Sequence, residues 1–124
     1  MSRGKAAALV VAGMRMAYGA ALALAPATTG SKWIGGDGAR PATGAVLRAL
    51  GAREVAIHAG AVAAALRDEP LRPWLLASMA GDCMDVAATA GAAGHVPDDA
   101  PVKTFAVAGG SALLSALLLT AIDR

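Results

Sequence analysis

The chain has 124 residues, the length of one domain, and 56% of them are apolar, against roughly 45–50% in ordinary soluble domains. Its net charge is only +2 and its mean hydropathy is +0.55, so no strongly basic face supports nucleic-acid binding. The single cysteine, Cys83, excludes an internal disulfide and a cysteine-based zinc site. Aromatic residues make up only 3% of the chain, so a soluble core would bury little area per residue. The composition therefore favours a membrane protein, in which small residues let helices approach closely.

The first predicted helix covers residues 6–25, which are apolar or small except for Arg15 and Tyr18. At about 1.5 Å per residue this segment covers the roughly 30 Å hydrocarbon core of a bilayer. The alternative is a cleaved signal peptide, with Arg3 and Lys5 as its basic region and Ala-Leu-Ala as its cleavage site. Arg15 would interrupt the apolar centre of such a peptide. We therefore interpret residues 6–25 as a membrane-spanning helix.

Residues 26–43 have the local signals of a loop, with two prolines, four glycines and an Asp-Gly pair. Trp33 and Ile34 would place this loop at the membrane interface, where Trp is enriched. The Gly-Gly-Asp-Gly run is not followed by Lys-Ser or Lys-Thr, so a phosphate-binding loop is disfavoured.

Three more helices follow in the prediction. The second covers residues 44–66 and ends before Pro70, because proline cannot continue a helix. The third covers residues 71–92, and a polar loop over 93–103 separates it from the fourth, residues 104–122. The predicted fold is all-α, a single-domain, four-helix up-down transmembrane bundle.

The basic residues outside these helices predict the orientation of the bundle. One side carries Arg3, Lys5, Arg67, Arg72 and Arg124. The opposite loops carry Lys32, Arg40 and Lys103. The positive-inside rule then places both termini in the cytoplasm, with the chain in the cell membrane.

Seven polar residues lie within the predicted spans and form a candidate binding or ion-pair cluster: Arg15, Arg48, Arg53, Glu54, His58, Asp82 and Asp85. Three arginines balance three carboxylates, so the cluster can be neutral. This balance matters because one unpaired charge at the bilayer centre costs at least about 2.5 kcal/mol. Glu54 and His58 are four residues apart and share a helix face. Arg48 lies nearer the outer surface and could extend its side chain to the interface.

Three interpretations of this cluster remain open. The charges form structural ion pairs, or they form a site in which Asp82, Asp85 or Glu54 acts as general acid or base, or they are solvated on a soluble bundle. A metal site that includes His58 is disfavoured because the arginines compete for the carboxylates, and no cofactor is predicted. Cys83 has acidic neighbours that disfavour its thiolate, so it is a poor nucleophile.

Three short motifs resemble those of an uncharacterised family of short four-helix bacterial membrane proteins, which carry a domain-of-unknown-function label. They are R-x-x-G-x-R-E from Arg48, L-R-P-W from Leu71 and D-x-x-D from Asp82. The likeness covers about residues 8–122. That family often has Asp where this chain has Glu54, which keeps the chemistry similar and lengthens the reach. The resemblance implies a membrane fold and leaves the activity open.

We expect a non-enzymatic integral membrane protein that acts as an accessory or assembly subunit. Its expected partners are the lipid bilayer and either further copies of the chain or another membrane protein. One alternative is a membrane enzyme that uses intramembrane carboxylates on a lipophilic substrate. Another is a small oligomeric transporter in which the acids and His58 relay protons.

Overall fold

A computed structural model describes residues 1–122, so Asp123 and Arg124, the latter counted above for orientation, lie outside the described residues. The described part is helical and contains no strand, which confirms the all-α class. Its five helices are α1 (Arg3–Leu24), α2 (Pro26–Ile34), α3 (Pro41–Leu66), α4 (Arg72–Gly91) and α5 (Ala100–Ile122).

The prediction of a loop over residues 26–43 was wrong. These residues form α2, a short 3-10 turn over Gly35–Ala39 and the first turn of α3. Pro26 and Pro41 each occupy the start of a helix, where the missing N–H of proline is not needed and its fixed φ favours the helix. The two prolines that predicted a loop are therefore helix starts.

Three helices of the described chain are long and apolar enough to cross a membrane by length and composition: α1, α3 and α5. Helix α4 has 20 residues but is not among them, since Asp82 and Asp85 interrupt its apolar sequence. Three of the four predicted spans are thus supported by their composition.

Helices α1 and α3 pack closely along each other, and two glycines mark their crossing. A Cβ atom at Gly19 would lie 2.7 Å from the carbonyl oxygen of Gly51 and 2.8 Å from the Cβ atom of Glu54. No side chain fits at that separation without moving a helix. The glycine pair therefore brings the α1 backbone directly against the part of α3 that carries Glu54.

The packed helices have a closed end and an open end. At the closed end, Gly4 of α1 lies against Ala121 of α5, and apolar side chains form a continuous core: Ala8, Ala64, Ala65, Leu71, Leu75 and Leu118. At the open end, the segment Phe105–Gly109 of α5 is a π-helix, and a cavity of about 330 Å³ lies between α1, α2, α4 and α5. Single π-helical turns of this kind are common at functional sites.

Candidate functional site

Arg15 of α1 is the centre of a buried ion-pair cluster. Its Nη2 atom lies 2.7 Å from Glu54 Oε2 on α3 and 2.6 Å from Asp82 Oδ1 on α4, and its Nε donates to Glu54 Oε2 at 3.0 Å. Glu54 is 2% exposed and Asp82 is fully buried. The planar guanidinium binds two carboxylates at once, so this one side chain connects three helices.

A second, looser pair extends the cluster toward the cavity. Arg53 Nη2 lies 3.5 Å from Asp85 Oδ1 and 3.8 Å from Glu54 Oε1. Gly81 leaves the space for this guanidinium, because a Cβ atom there would already contact Arg53 Nη2 at 3.5 Å. Both side chains of the Arg53–Asp85 pair are partly exposed, and the pair is correspondingly weaker than the Arg15 contacts.

Arg48 lies apart from the cluster. Its Nη1 donates to the carbonyl oxygen of Ala23 at 3.0 Å, at the C-terminal end of α1, where the helix dipole favours a cation. Two arginines then face three carboxylates, so the neutral balance expected from the sequence is absent.

His58 connects the cluster to Ser78 of α4, a residue that the sequence analysis missed. His58 Nδ1 lies 2.7 Å from the backbone oxygen of Glu54, and Nε2 lies 3.1 Å from Ser78 Oγ. Because a carbonyl oxygen only accepts, Nδ1 of the neutral ring carries the proton and Nε2 accepts from the Ser78 hydroxyl. No sequence motif surrounds Ser78, and only the packing of α3 on α4 brings the two side chains together.

Ser78 and His58 resemble the nucleophile and base of a hydrolase, but His58 Nδ1 donates to the Glu54 backbone oxygen, and the Glu54 carboxylate oxygen lies 3.7 Å from Nδ1. The cavity that Ser78 and His58 line measures about 20 Å³, which is room for about one water molecule. A substrate does not fit there. We therefore interpret this chain of hydrogen bonds as a structural link between α3 and α4.

The larger cavity opens beside the cluster at the open end. Its inner end contains Arg15, Tyr18 and Asp85, and α2 and α5 supply the rest of its lining: Thr29, Lys32, Trp33, Lys103, Thr104, Val107 and Ala108. The Trp33 indole N–H donates to Thr104 Oγ1 at 2.7 Å and fixes the ring as one wall. These residues share no sequence motif, and α2, which supplies three of them, was predicted to be part of a loop.

Among residues 1–122, no group of three or more His, Cys, Asp or Glu side chains is placed to hold a metal ion. The cluster carboxylates face arginine side chains instead. Cys83 is a free cysteine, and its side chain is exposed.

Comparison of the chain with protein-family models, with curated proteins and with solved structures gave no match in any of the three. The resemblance to a four-helix membrane family therefore stays a proposal that rests on the three motifs.

Proposed function

We propose that the chain is a multi-pass integral membrane protein without catalytic activity, an accessory or assembly subunit whose helices are connected by the Arg15 cluster. The observation that carries the proposal is the distribution of side chains, with apolar groups outside and ionised groups inside.

The outer surface of the long helices is apolar. Val10 and Met14 on α1 are 64% and 68% exposed, and Leu113 and Leu117 on α5 are 64% and 57% exposed. The largest buried side chains include the carboxylate of Asp82. In water this arrangement would leave large apolar patches uncovered. In a bilayer the same surface contacts lipid, and the charges avoid lipid by pairing inside the bundle.

In this proposal α4 is the fourth span. Its 20 residues extend about 30 Å, enough to cross the hydrocarbon core, and its two aspartates lie beside arginines of α1 and α3. The proposed topology has both termini in the cytoplasm. Helix α2 and Trp33 then lie at the opposite membrane interface.

The state of the carboxylates favours a structural role over catalysis. Arg15 binds Glu54 Oε2 and Asp82 Oδ1, and neither acid lines the large cavity. A general acid or base needs a reactive atom within hydrogen-bond reach, and of the three acids only Asp85 lines a cavity of that size. The proposal assigns the cluster to holding α1, α3 and α4 in register.

The test is fractionation of the tagged chain followed by carbonate extraction of the membranes. We expect the protein to stay in the membrane pellet, and its release into the supernatant would contradict the proposal. Topology is read from the variants Ser2→Cys and Gly36→Cys, both at exposed positions, in a Cys83→Ser background. Labelling with an impermeant thiol reagent should reach Gly36→Cys in intact cells and Ser2→Cys only after lysis.

A further inference from the structure

Two lysines meet at the rim of the large cavity. Lys103 Nζ donates to the backbone oxygen of Lys32 at 3.3 Å, and both lysines line the cavity. Lys103 also pairs with Asp99 at 2.7 Å, which offsets part of its charge. The Lys32 ammonium has no hydrogen bond or ion pair in the described chain, residues 1–122. The rim is therefore positive, with Lys32 as its uncompensated charge.

The carboxylate at the inner end does not cancel this charge. Asp85 lies at the other end of the lining, where Arg53 and Arg15 are its nearest cations. Arg15, Tyr18 and Asp85 are supplied to the lining by α1 and α4, whereas Lys32 and Lys103 are supplied by α2 and α5. An anion at the rim would face Lys32 and Lys103 first.

The walls below the rim are apolar and open to the side. Trp33, Val107 and Ala108 form them, and the gap between α1 and α5 is bordered by Tyr18 and Val107, which are 39% and 62% exposed. A volume of about 330 Å³ is within the range of ligand pockets, roughly 300–1,000 Å³. An acyl chain can therefore lie along Val107 and leave laterally into the bilayer.

We propose that this cavity binds one anionic phospholipid, with its phosphate at Lys32 and Lys103 and one acyl chain between α1 and α5. The inference rests on the proposed membrane function. Basic pockets between membrane helices on the cytoplasmic side bind anionic lipid head groups, and this cavity offers the same basic chemistry at the opposite interface. A free phosphate would satisfy the lysines but not use the apolar walls or the lateral opening.

The test uses the full chain purified in dodecyl maltoside and native mass spectrometry with added phosphatidylglycerol. We expect one bound phosphatidylglycerol, and weaker binding of zwitterionic phosphatidylcholine. Each basic residue near a lipid surface contributes about 1 kcal/mol, so Lys32→Gln with Lys103→Gln should weaken binding at least about tenfold. Each single variant should weaken binding, and Lys103→Gln also leaves Asp99 as an unpaired negative charge near the rim.

Two matched controls distinguish lipid binding at this site from nonspecific electrostatic attraction between the lipid and the protein. Lys5→Gln with Arg67→Gln removes the same charge near the closed end and should leave binding within about twofold of wild type. Ala108→Leu fills the cavity and should abolish binding with both lysines present, whereas Ala106→Leu, on the same π-helical segment but outside the lining, should not.

Equal binding of phosphatidylcholine, or an equal loss in the Lys5/Arg67 control, would overturn the lipid site. Displacement of the lipid by inorganic phosphate would also overturn it and would point to a site for a free anion. These outcomes differ from a failure of the proposed function, which would appear as a chain that stays in solution without detergent and is released from membranes by carbonate.

Discussion

Helices α1 and α5 contribute to both ends of the molecule, but one end is closely packed and the other contains a cavity. At the closed end, α1 and α5 meet through Gly4 and Ala121, and their side chains join one apolar core. At the open end, the same two helices diverge around a cavity, because Tyr18 is large and α5 changes to a π-helix over Phe105–Gly109. Small residues close a helix pair in a membrane, whereas one large side chain and a local change of helix type leave space.

The Arg15 cluster lies at the boundary between these ends, and α3 stays against α1 on both sides of it. The Gly19–Gly51 crossing keeps that contact at the open end. Stability should therefore depend on the closed end, the cluster and the α1–α3 crossing. The lining of the cavity should be tolerant of change.

The largest effect is expected from Arg15→Met. It leaves Glu54 and Asp82 as buried carboxylates without their cation, which should lower the free energy of unfolding by about 3–5 kcal/mol. The triple variant Arg15→Met, Glu54→Gln, Asp82→Asn should recover most of this loss. The measurement is unfolding in micelles followed by far-ultraviolet circular dichroism. Arg48→Met is the control, and an equal loss there would show that the boundary cluster has no special role.

The two aspartates of α4 should differ, because Asp82 faces the boundary and Asp85 faces the cavity. Asp82→Asn weakens a charged contact of 2.6 Å and should cost about 1.5–3 kcal/mol. Asp85→Asn weakens a contact of 3.5 Å with a partly exposed partner and should cost about 1 kcal/mol or less. The same unfolding assay compares the two variants. A greater loss of stability in Asp85→Asn than in Asp82→Asn would contradict the assignment of Asp82 to the boundary cluster and of Asp85 to the cavity.

A moderate effect is expected from Gly51→Ala. The new methyl group has no space at the α1–α3 crossing, and overpacking of this kind costs about 1–3 kcal/mol. Gly13→Ala on the same helix pair is the control, since a Cβ atom there meets no heavy atom within 4 Å. Because the crossing positions Arg15, combining Gly51→Ala with Arg15→Met should cost less than the sum of the single losses. If the loss in the double variant equals the sum of the two single losses, the crossing does not position Arg15.

The smallest effect concerns one exposed ion pair at each end, Lys5–Asp68 and Lys103–Asp99. In each pair the hydrogen bond from lysine lowers the pKa of the aspartate below its usual 3.8. The stabilisation is therefore present above pH 3.8 and is lost as the pH falls through the lowered pKa.

The variants Asp68→Asn and Asp99→Asn should lower Tm slightly at neutral pH and not at all in strong acid. Asparagine suits position 68 because that residue has a positive φ of 55°. Thermal unfolding across pH, at low and high salt, measures the difference. Since both carboxylates are largely exposed, salt should remove this difference in Tm. A Tm difference between variant and wild type that grows toward low pH would contradict the role given to these ion pairs.

Much of the architecture could be predicted from local pattern. Long apolar segments predicted α1, α3, α5 and the helical course of α4, and the opposite charges within them were consistent with ion pairs, one of three interpretations left open. The loop over residues 26–43 failed because proline and glycine mark both loops and helix ends, and only packing distinguishes the two. Arg48 was expected nearer the outer surface, but its contact with the Ala23 carbonyl was not, because depth along a helix does not specify which neighbour a side chain reaches.

The sequence by itself determined the helical class, the apolar length of three helices and the presence of opposite charges within them, because each of these depends on composition and spacing along one segment. The tertiary structure alone decided which charges pair, that Ser78 meets His58, and that Lys32 and Lys103 share one rim. These contacts join residues at least 20 positions apart, and their geometry depends on helix rotation and on the Gly19–Gly51 crossing. Helix rotation and the position of this crossing cannot be obtained from the spacing of residues within one helix.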